Sequence, residues 1–470
     1  MKAITLALTS LSIAVLAGCT SAPLAQQQAQ TTAVFTKQVS QDAMLQGLTE
    51  QSELAWWQQL DSPQLNTLVN QTLSGNQDLK AAAARLQAAI ARLSAQNKTL
   101  WPQGDVQANG IRGNTSSTSN PNGQVQASTS AGGRLSWQPD LSGRLSALSA
   151  AAQAGANDQQ GQYQTMVNAL VSATVHGYLQ WQNLHLREQI TQSRLKNLED
   201  SMAILQVQIK EGMATELAFD RTQAQYFEFK QQLPLIAIKR AQVEQTLAVL
   251  LNKQANQLNL TALTMTQYNA LSLHVAVKSP QIAVMQRGDV QSAMQQLTQQ
   301  SQIANSAARA LYPDISLSAF AGIISAPGLN FDHSQSNWQI TPTISWSLFS
   351  YPQLLAQLDN QTALTEASYH HYKQVLTEVL STTELSLRTL ERTKQQLDYA
   401  NKRVNAAENA LIQAQDSYQE GQQSYFELLN AQQDVLIAEQ SQMIIHDQWL
   451  NAGVNVYSEL SGKWASELLR

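Results

Sequence analysis

Groups able to do chemistry are sparse in this chain of 470 residues. Its seven histidines are His176, His185, His274, His333, His370, His371 and His446. Only His370 and His371 are close, and adjacent helix positions do not face one another. No His/Glu pair has zinc-ligand spacing, and no glycine-rich loop opens a helix to cradle a phosphate. The carboxylates are scattered over helix-forming sequence as solvated charge. No catalytic residue, metal or cofactor is expected, and the chain reads as a non-enzyme. Two stretches remain that could do physical work. Gly421-Gln422-Gln423-Ser424-Tyr425-Phe426-Glu427-Leu428-Leu429-Asn430 has an echo in Gly212-Met213-Ala214-Thr215-Glu216-Leu217-Ala218-Phe219-Asp220-Arg221. In each, a glycine ends a long helical run, a small hydroxyl residue follows three places later, and a second run begins. Phe426 and Asn430 are four apart, so they share a helix face. Glycine, with no Cβ, supplies the turn.

The sole cysteine is Cys19, so an intrachain disulfide is impossible. Met1-Lys2 begins the chain, Ala3 to Val15 is apolar and too short to span a bilayer, and Leu16-Ala17-Gly18-Cys19 follows. This reads as a secretory signal over 1–18. It resembles the bacterial lipoprotein signal, which implies a covalent lipid on Cys19. Thr20 stands where an aspartate would mark inner-membrane retention. Several acyl chains would anchor the protein firmly.

Asp, Glu, Lys and Arg make up only 13% of residues and the formal net charge is −5. That gives no electrostatic case for nucleic acid or for an anionic membrane surface. Mean hydropathy is −0.27, and after the signal no run approaches the ~20 apolar residues of a membrane helix. A membrane role must therefore come from a lipid or a barrel.

The elements that would position the two turns follow from periodicity. Residues 19–62 form a tether rich in Gln, Ala and Thr that leads into an equatorial segment with Trp56-Trp57. A first repeat spans 63–251. Ser62-Pro63 starts a helix that runs to Leu100, where Trp101-Pro102 stops it. A hairpin follows at about 104–138, with strands over 105–112 and 127–138 and a loop from Asn114 to Gly123. No proline interrupts Arg144 to Glu211, and Leu195, Leu198, Met202, Leu205 and Ile209 step by three and four as a coiled-coil seam. At ~1.5 Å per residue this is a rod of roughly 100 Å. Gly212 turns it, and a return helix runs to Leu251, interrupted by Pro234.

An equatorial linker spans 252–286, and the pattern then restarts over 287–460. A helix from Asp289 to Leu311, capped by Asp289, precedes a second hairpin at about 314–348 whose loop holds Pro327-Gly328 and Asn330 to Asn337. Trp338, Ile340, Pro342, Ile344, Trp346 and Leu348 alternate with polar residues. From Trp338 to Trp346 the strand covers roughly 30 Å, the hydrocarbon thickness, with a tryptophan at each interface. Trp137 belongs to the same girdle. Pro342 costs a ladder bond. From Pro352 to Glu420, Leu376, Thr383, Leu390, Leu397, Val404 and Leu411 recur every seven residues, the mark of a left-handed supercoil. Gly421 turns this second rod, a last helix reaches Leu460, and 461–470 is a tail.

Four strands cannot close a membrane barrel, and an open sheet in lipid strands its backbone groups. The chain must oligomerise, and three copies supply twelve strands. Here the sequence resembles the TolC-like outer-membrane efflux factors, in particular the lipidated multidrug-efflux and nodulation-export branch. The resemblance rests on Cys19, on Trp56-Trp57 with Asp61-Ser62-Pro63-Gln64-Leu65, and on Gly75-Asn76-Gln77-Asp78-Leu79. It rests also on Asp140-Leu141-Ser142-Gly143-Arg144, Arg287-Gly288-Asp289-Val290, Tyr312-Pro313-Asp314-Ile315, Ser345-Trp346-Ser347-Leu348-Phe349 and the two glycine turns. The family has Arg-Pro-Asp where this chain has Arg287-Gly288-Asp289, and loss of that proline should loosen the helix start slightly.

The resemblance implies a mainly α fold with a trimeric twelve-stranded β-barrel on a hollow coiled-coil tunnel. It implies a homotrimer in outer-membrane lipid, docked to a periplasmic adaptor and an inner-membrane pump of the resistance–nodulation–division (RND) type, that exports small amphipathic compounds. It places Phe426, Glu427 and Asn430 on the aperture face of a periplasmic gate, with Arg221 as ionic neighbour. Tyr418 and Gln423 match positions that tie the helix pairs shut. A protein-secretion duct and a non-conducting envelope scaffold remain as alternatives.

Overall fold

The computed structural model describes residues 55–117, 120–273, 280–325 and 334–460. Cys19, its signal and the 461–470 tail lie outside the described residues. The first repeat runs α1 (Pro63–Gly75), α2 (Gln77–Lys98), β1 (Gln103–Ser117), β2 (Asn120–Trp137), α3 (Arg144–Lys210), α4 (Glu216–Lys230) and α5 (Gln232–Leu250). Two short helices follow, α6 (Met265–Asn269) and α7 (Pro280–Met285). The second repeat is α8 (Gly288–Arg309), β3 (Asp314–Ser325), β4 (Ser334–Ser345), α9 (Tyr351–Gln419) and α10 (Tyr425–Leu460). With 67 and 69 residues, α3 and α9 are rods of roughly 100 Å each.

The four strands form one antiparallel sheet in the order β1-β2-β3-β4. Both outer strands, β1 and β4, therefore keep an unpaired edge within the chain. Pairing of Leu317 with Pro342, Ala319 with Ile340 and Ala321 with Trp338 puts these apolar residues on one face. Leu135 opposite Ala319 and Val106 opposite Gly133 continue that face. Trp338 is 74% exposed on it. Among the described residues no helix is long and apolar enough to cross a membrane.

Several boundaries depart from expectation. The first hairpin extends far beyond 105–112 and 127–138: Thr115 still pairs with Gln124, and Ser117 with Asn120. Low strand propensity in the Ser/Thr/Asn stretch yields to the ladder it continues. In the second hairpin β4 already begins at Ser334, inside the expected loop, and ends at Ser345. Trp346 thus lies just past its strand, where its indole N–H donates to the Leu311 carbonyl at 3.1 Å. Trp137, at the equivalent place in the first repeat, donates to the Leu100 carbonyl at 3.1 Å. Each indole satisfies a carbonyl left over at the end of the preceding helix.

The helix expected from 63 to 100 is two helices. Asn76 is extended, and its side chain accepts from the Leu79 amide at 3.0 Å to cap α2. The return helix breaks at Gln231, three residues before Pro234, as expected when a proline ring crowds the preceding turn. Asp289 is not the cap of α8. Arg287 holds that position, and its guanidinium forks onto Asp289 at 3.0 and 2.7 Å. Gly288 packs directly on Gly161 of α3: a Cβ on Gly161 would come within 2.6 Å of the Gly288 carbonyl oxygen. A glycine pair lets the two backbones meet, so glycine in place of the family's proline serves a close helix crossing at the start of α8.

The main core is a belt half-way along the rods. Trp56 stacks on Tyr457 at 5.1 Å, and Leu65, Val69, Leu179, Tyr268, Met443 and Leu450 are buried around them. Each such aliphatic side chain contributes about 1.5–3 kcal/mol on burial. Ser62 caps α1 and also meets the Tyr178 hydroxyl at 2.9 Å, tying the N-terminal segment to α3. The heptad on α9 lies inward as its spacing requires: Leu376, Thr383 and Val404 are buried, and Leu390, Leu397 and Leu411 half-buried.

Candidate functional site

At the end of the rods far from the sheet, the chain turns twice with one geometry. Gly212 and Gly421 both have φ of 71°, the left-handed region that glycine enters without steric cost. In the first turn the Met213 amide bonds back to the Gln208 carbonyl at 2.7 Å and Gly212 to Ile209 at 3.0 Å. In the second, Gln422 bonds to Ser417 at 2.8 Å and Gly421 to Tyr418 at 3.0 Å. Both are Schellman closures, which satisfy the last carbonyls of a helix. Thr215 then caps α4, its hydroxyl accepting from the Ala218 amide at 3.4 Å, and Ser424 stands at the matching place before α10. Each new helix carries one acid in its first turn, Glu216 and Glu427, where the helix dipole favours negative charge.

The side chains differ. On the first three turns of α10 the buried positions are Leu428, Leu429 and Val435. Phe426 lies off this seam and is 43% exposed. Glu427 is exposed and Asn430 half-buried. Phe426 and Glu427 therefore stand outside the packing of their own protomer, and Asn430 lies at its margin. Tyr418 packs edge-on against Tyr425, with ring centroids 5.6 Å apart. The Tyr425 hydroxyl in turn lies 3.4 Å from the Ser201 hydroxyl on α3. Tyr418 thus reaches the first helix pair through Tyr425, a residue that sequence reasoning missed. The signal was present as a second tyrosine seven places beyond Tyr418. Gln423 and Arg221 are exposed, and neither side chain has a hydrogen bond or ion pair among the described residues.

Further along the rods a second tie joins the two helix pairs. Arg194 of α3 is buried, donates to the Gln440 side chain on α10 at 2.8 Å, and lies over the Phe229 ring of α4 at 4.6 Å. Burial pushes the neighbouring Glu439 carboxyl up, and Glu408 adds to the effect. Sequence alone gave no hint of this arginine, which interrupts no period.

At the sheet end, Asp140 caps the start of α3 by accepting from the Leu145 and Ser146 amides at 3.0 and 2.7 Å. Arg144 faces Asp314 at 3.6 Å, joining the bases of the two hairpins. Trp137 and Trp346 lie at this level, and Trp338 lies eight residues up β4 from Trp346, about 26 Å at ~3.3 Å per residue. No group of three or more potential metal ligands occurs among the described residues.

A family model described as "Outer membrane efflux protein" matches residues 68–253 and 279–462, one match per repeat. The pyoverdine export outer membrane protein OpmQ of Pseudomonas aeruginosa is 24% identical over 365 residues, covering 73% of each chain. The probable outer membrane lipoprotein SilC of Salmonella typhimurium is 23% identical over 410 residues, covering 82% of this chain and 83% of its own. Among solved structures, the outer-membrane channel OprN aligns with a TM-score of 0.81 and 25% identity, covering 90% of this chain and 96% of that one.

Proposed function

The chain belongs to the outer membrane efflux protein family, and we propose that three copies form the gated outer-membrane duct of a tripartite exporter for small amphipathic compounds. The observation that carries this reading is the sheet with two open edges mounted on two rods of 67 and 69 residues. A four-stranded sheet with an apolar face cannot rest in lipid with its edges unpaired. Because the strands alternate in direction, β4 of one copy meets β1 of the next antiparallel, and three copies close a twelve-stranded barrel without residual edges. The rods then continue the barrel as a tunnel. A lipid on Cys19 adds a second anchor.

Mechanism lies in the tunnel's closed end. Three Phe426 side chains converging at the second turn form an apolar plug that gates by dewetting, and three Glu427 carboxylates give the aperture cation preference and mutual repulsion. Asn430 completes the face without adding charge. Opening moves α9 and α10 away from α3, which breaks the Tyr425–Ser201 contact first. A periplasmic adaptor holds the tip, and an inner-membrane pump of the RND type drives the solute. The export of pyoverdine by OpmQ supports a small-molecule cargo. Deleting the gene should sensitise cells to several amphipathic toxicants, and the purified chain should form ion-conducting channels in planar bilayers. Unchanged susceptibility of the deletion strain together with an absence of channel current would contradict the reading.

A further inference from the structure

A polar groove of about 440 Å3 lies between α3, α5 and α10 in the belt region. Its floor is apolar, with Leu184 and Val243 buried. Its rim carries two cations, Arg187 and Lys239, and the amides Gln180 and Gln448. Which way it faces follows from helix geometry. Gln180, Leu184 and Arg187 are spaced four and three, so they share one face of α3. The opposite face is covered: Gln182 donates to the Thr261 carbonyl at 2.8 Å and accepts from the Leu263 amide at 2.9 Å, and Tyr178 meets Ser62. With α5 and α10 on its two flanks, the remaining face of α3, and the groove with it, is left open within the protomer.

The cations on the two sides of α5 are treated differently. On the covered side, Arg240 pairs with Glu188 and lies 3.8 Å from Glu244, which also accepts from the Trp181 indole at 2.9 Å. In the groove, neither Arg187 nor Lys239 has an ion pair within 4.0 Å among the described residues, and the buried Nε of Arg187 has no hydrogen-bond partner. Asp447, the acid in the lining, accepts from the Tyr268 hydroxyl at 2.8 Å, and Arg187 acts on its carboxylate electrostatically without an ion pair within 4.0 Å. A buried donor without an acceptor is costly, and a cation pair above an apolar floor suits a ligand that brings both an anionic head and an apolar body.

We propose that this groove, repeated in each protomer, is a luminal binding site for amphipathic organic anions of the carboxylate class. The head sits between Arg187 and Lys239, the side-chain amides of Gln180 and Gln448 donate to it, and the body rests on Leu184 and Val243. The proposal deepens the duct reading by naming a substrate class, and it rests on that reading for the luminal placement.

The test is equilibrium binding of carboxyfluorescein to the full chain purified in detergent, followed by fluorescence anisotropy, with bilayer conductance measured in parallel. Lys239→Gln and Arg187→Gln should each weaken binding about tenfold, the effect of removing one charge-assisted contact. Arg240→Gln should leave it unchanged. Lys239 is exposed, so its variant remains informative if the Arg187 variant fails to fold. Absence of dye binding, or equal affinity in the parent and the Lys239 variant, overturns the site. A protein that conducts but binds without charge dependence loses the site and keeps the duct. A protein that binds with this pattern but never conducts keeps the site and loses the duct.

Discussion

The two repeats share a backbone and not a surface. α2 and α8 have 22 residues each, the glycine turns lie 209 residues apart with matching hydrogen bonds, and two tryptophans cap equivalent carbonyls. Yet α2 opens on Asn76 as a capping side chain, whereas α8 opens on a glycine pressed against Gly161. The second turn carries Phe426, Glu427 and Asn430, whereas the first carries Leu217, Ala218 and Arg221. Duplication supplies the architecture, and divergence at a few positions gives the two copies different surfaces.

The largest break in this comparison comes from exchanging helix starts. Gly288→Gln, which puts the residue of the first repeat into the second, should cost about 1–3 kcal/mol through overpacking against Gly161. The reverse change, Gln77→Gly at an exposed site, should cost only about 0.5–1 kcal/mol. Apparent melting temperatures of the two variants in detergent would check the inequality.

The turns should behave alike in stability and unlike in function. Nothing lies within 4 Å of a Cβ placed on either Gly212 or Gly421. Alanine at each therefore meets only the left-handed backbone cost of about 1–2 kcal/mol. Equal shifts in melting temperature are expected, with altered channel current for the Gly421 variant alone.

The smallest effect concerns pH. Burial holds the Glu439 carboxyl above its ordinary range. Between the ordinary glutamate value and that raised value, the folded chain keeps a proton the unfolded chain has lost, so stability falls as pH rises through this window. Glu439→Gln should flatten that slope in a series of melting curves, and an unchanged slope would place the pH dependence elsewhere.

Much of the fold was legible because it is periodic. The rods, their seams and both turns follow from heptads and glycines, and the second hairpin from strict alternation at Trp338 to Ile344. What escaped was set by contacts distant in sequence. Strand pairing carried the Ser/Thr/Asn stretch of the first hairpin into the sheet against its propensity. Gly288 looked like a lost proline until Gly161 stood opposite it. At the candidate site, Phe426, Glu427 and Asn430 could be chosen from their place after the turn, but the tie through Tyr425 to Ser201 crosses 224 residues. Arg194 likewise reaches Gln440 across 246 residues, a pairing no local pattern encodes.

If the second turn holds the constriction, the two turns must differ in their effect on current. Single-channel recording of Phe426→Ala/Asn430→Ala beside Leu217→Ala/Arg221→Ala tests it most directly. A several-fold larger current is expected for the first double variant and a current close to the parent's for the second. Equal currents in all three proteins, or a gain confined to the first-turn variant, would contradict it.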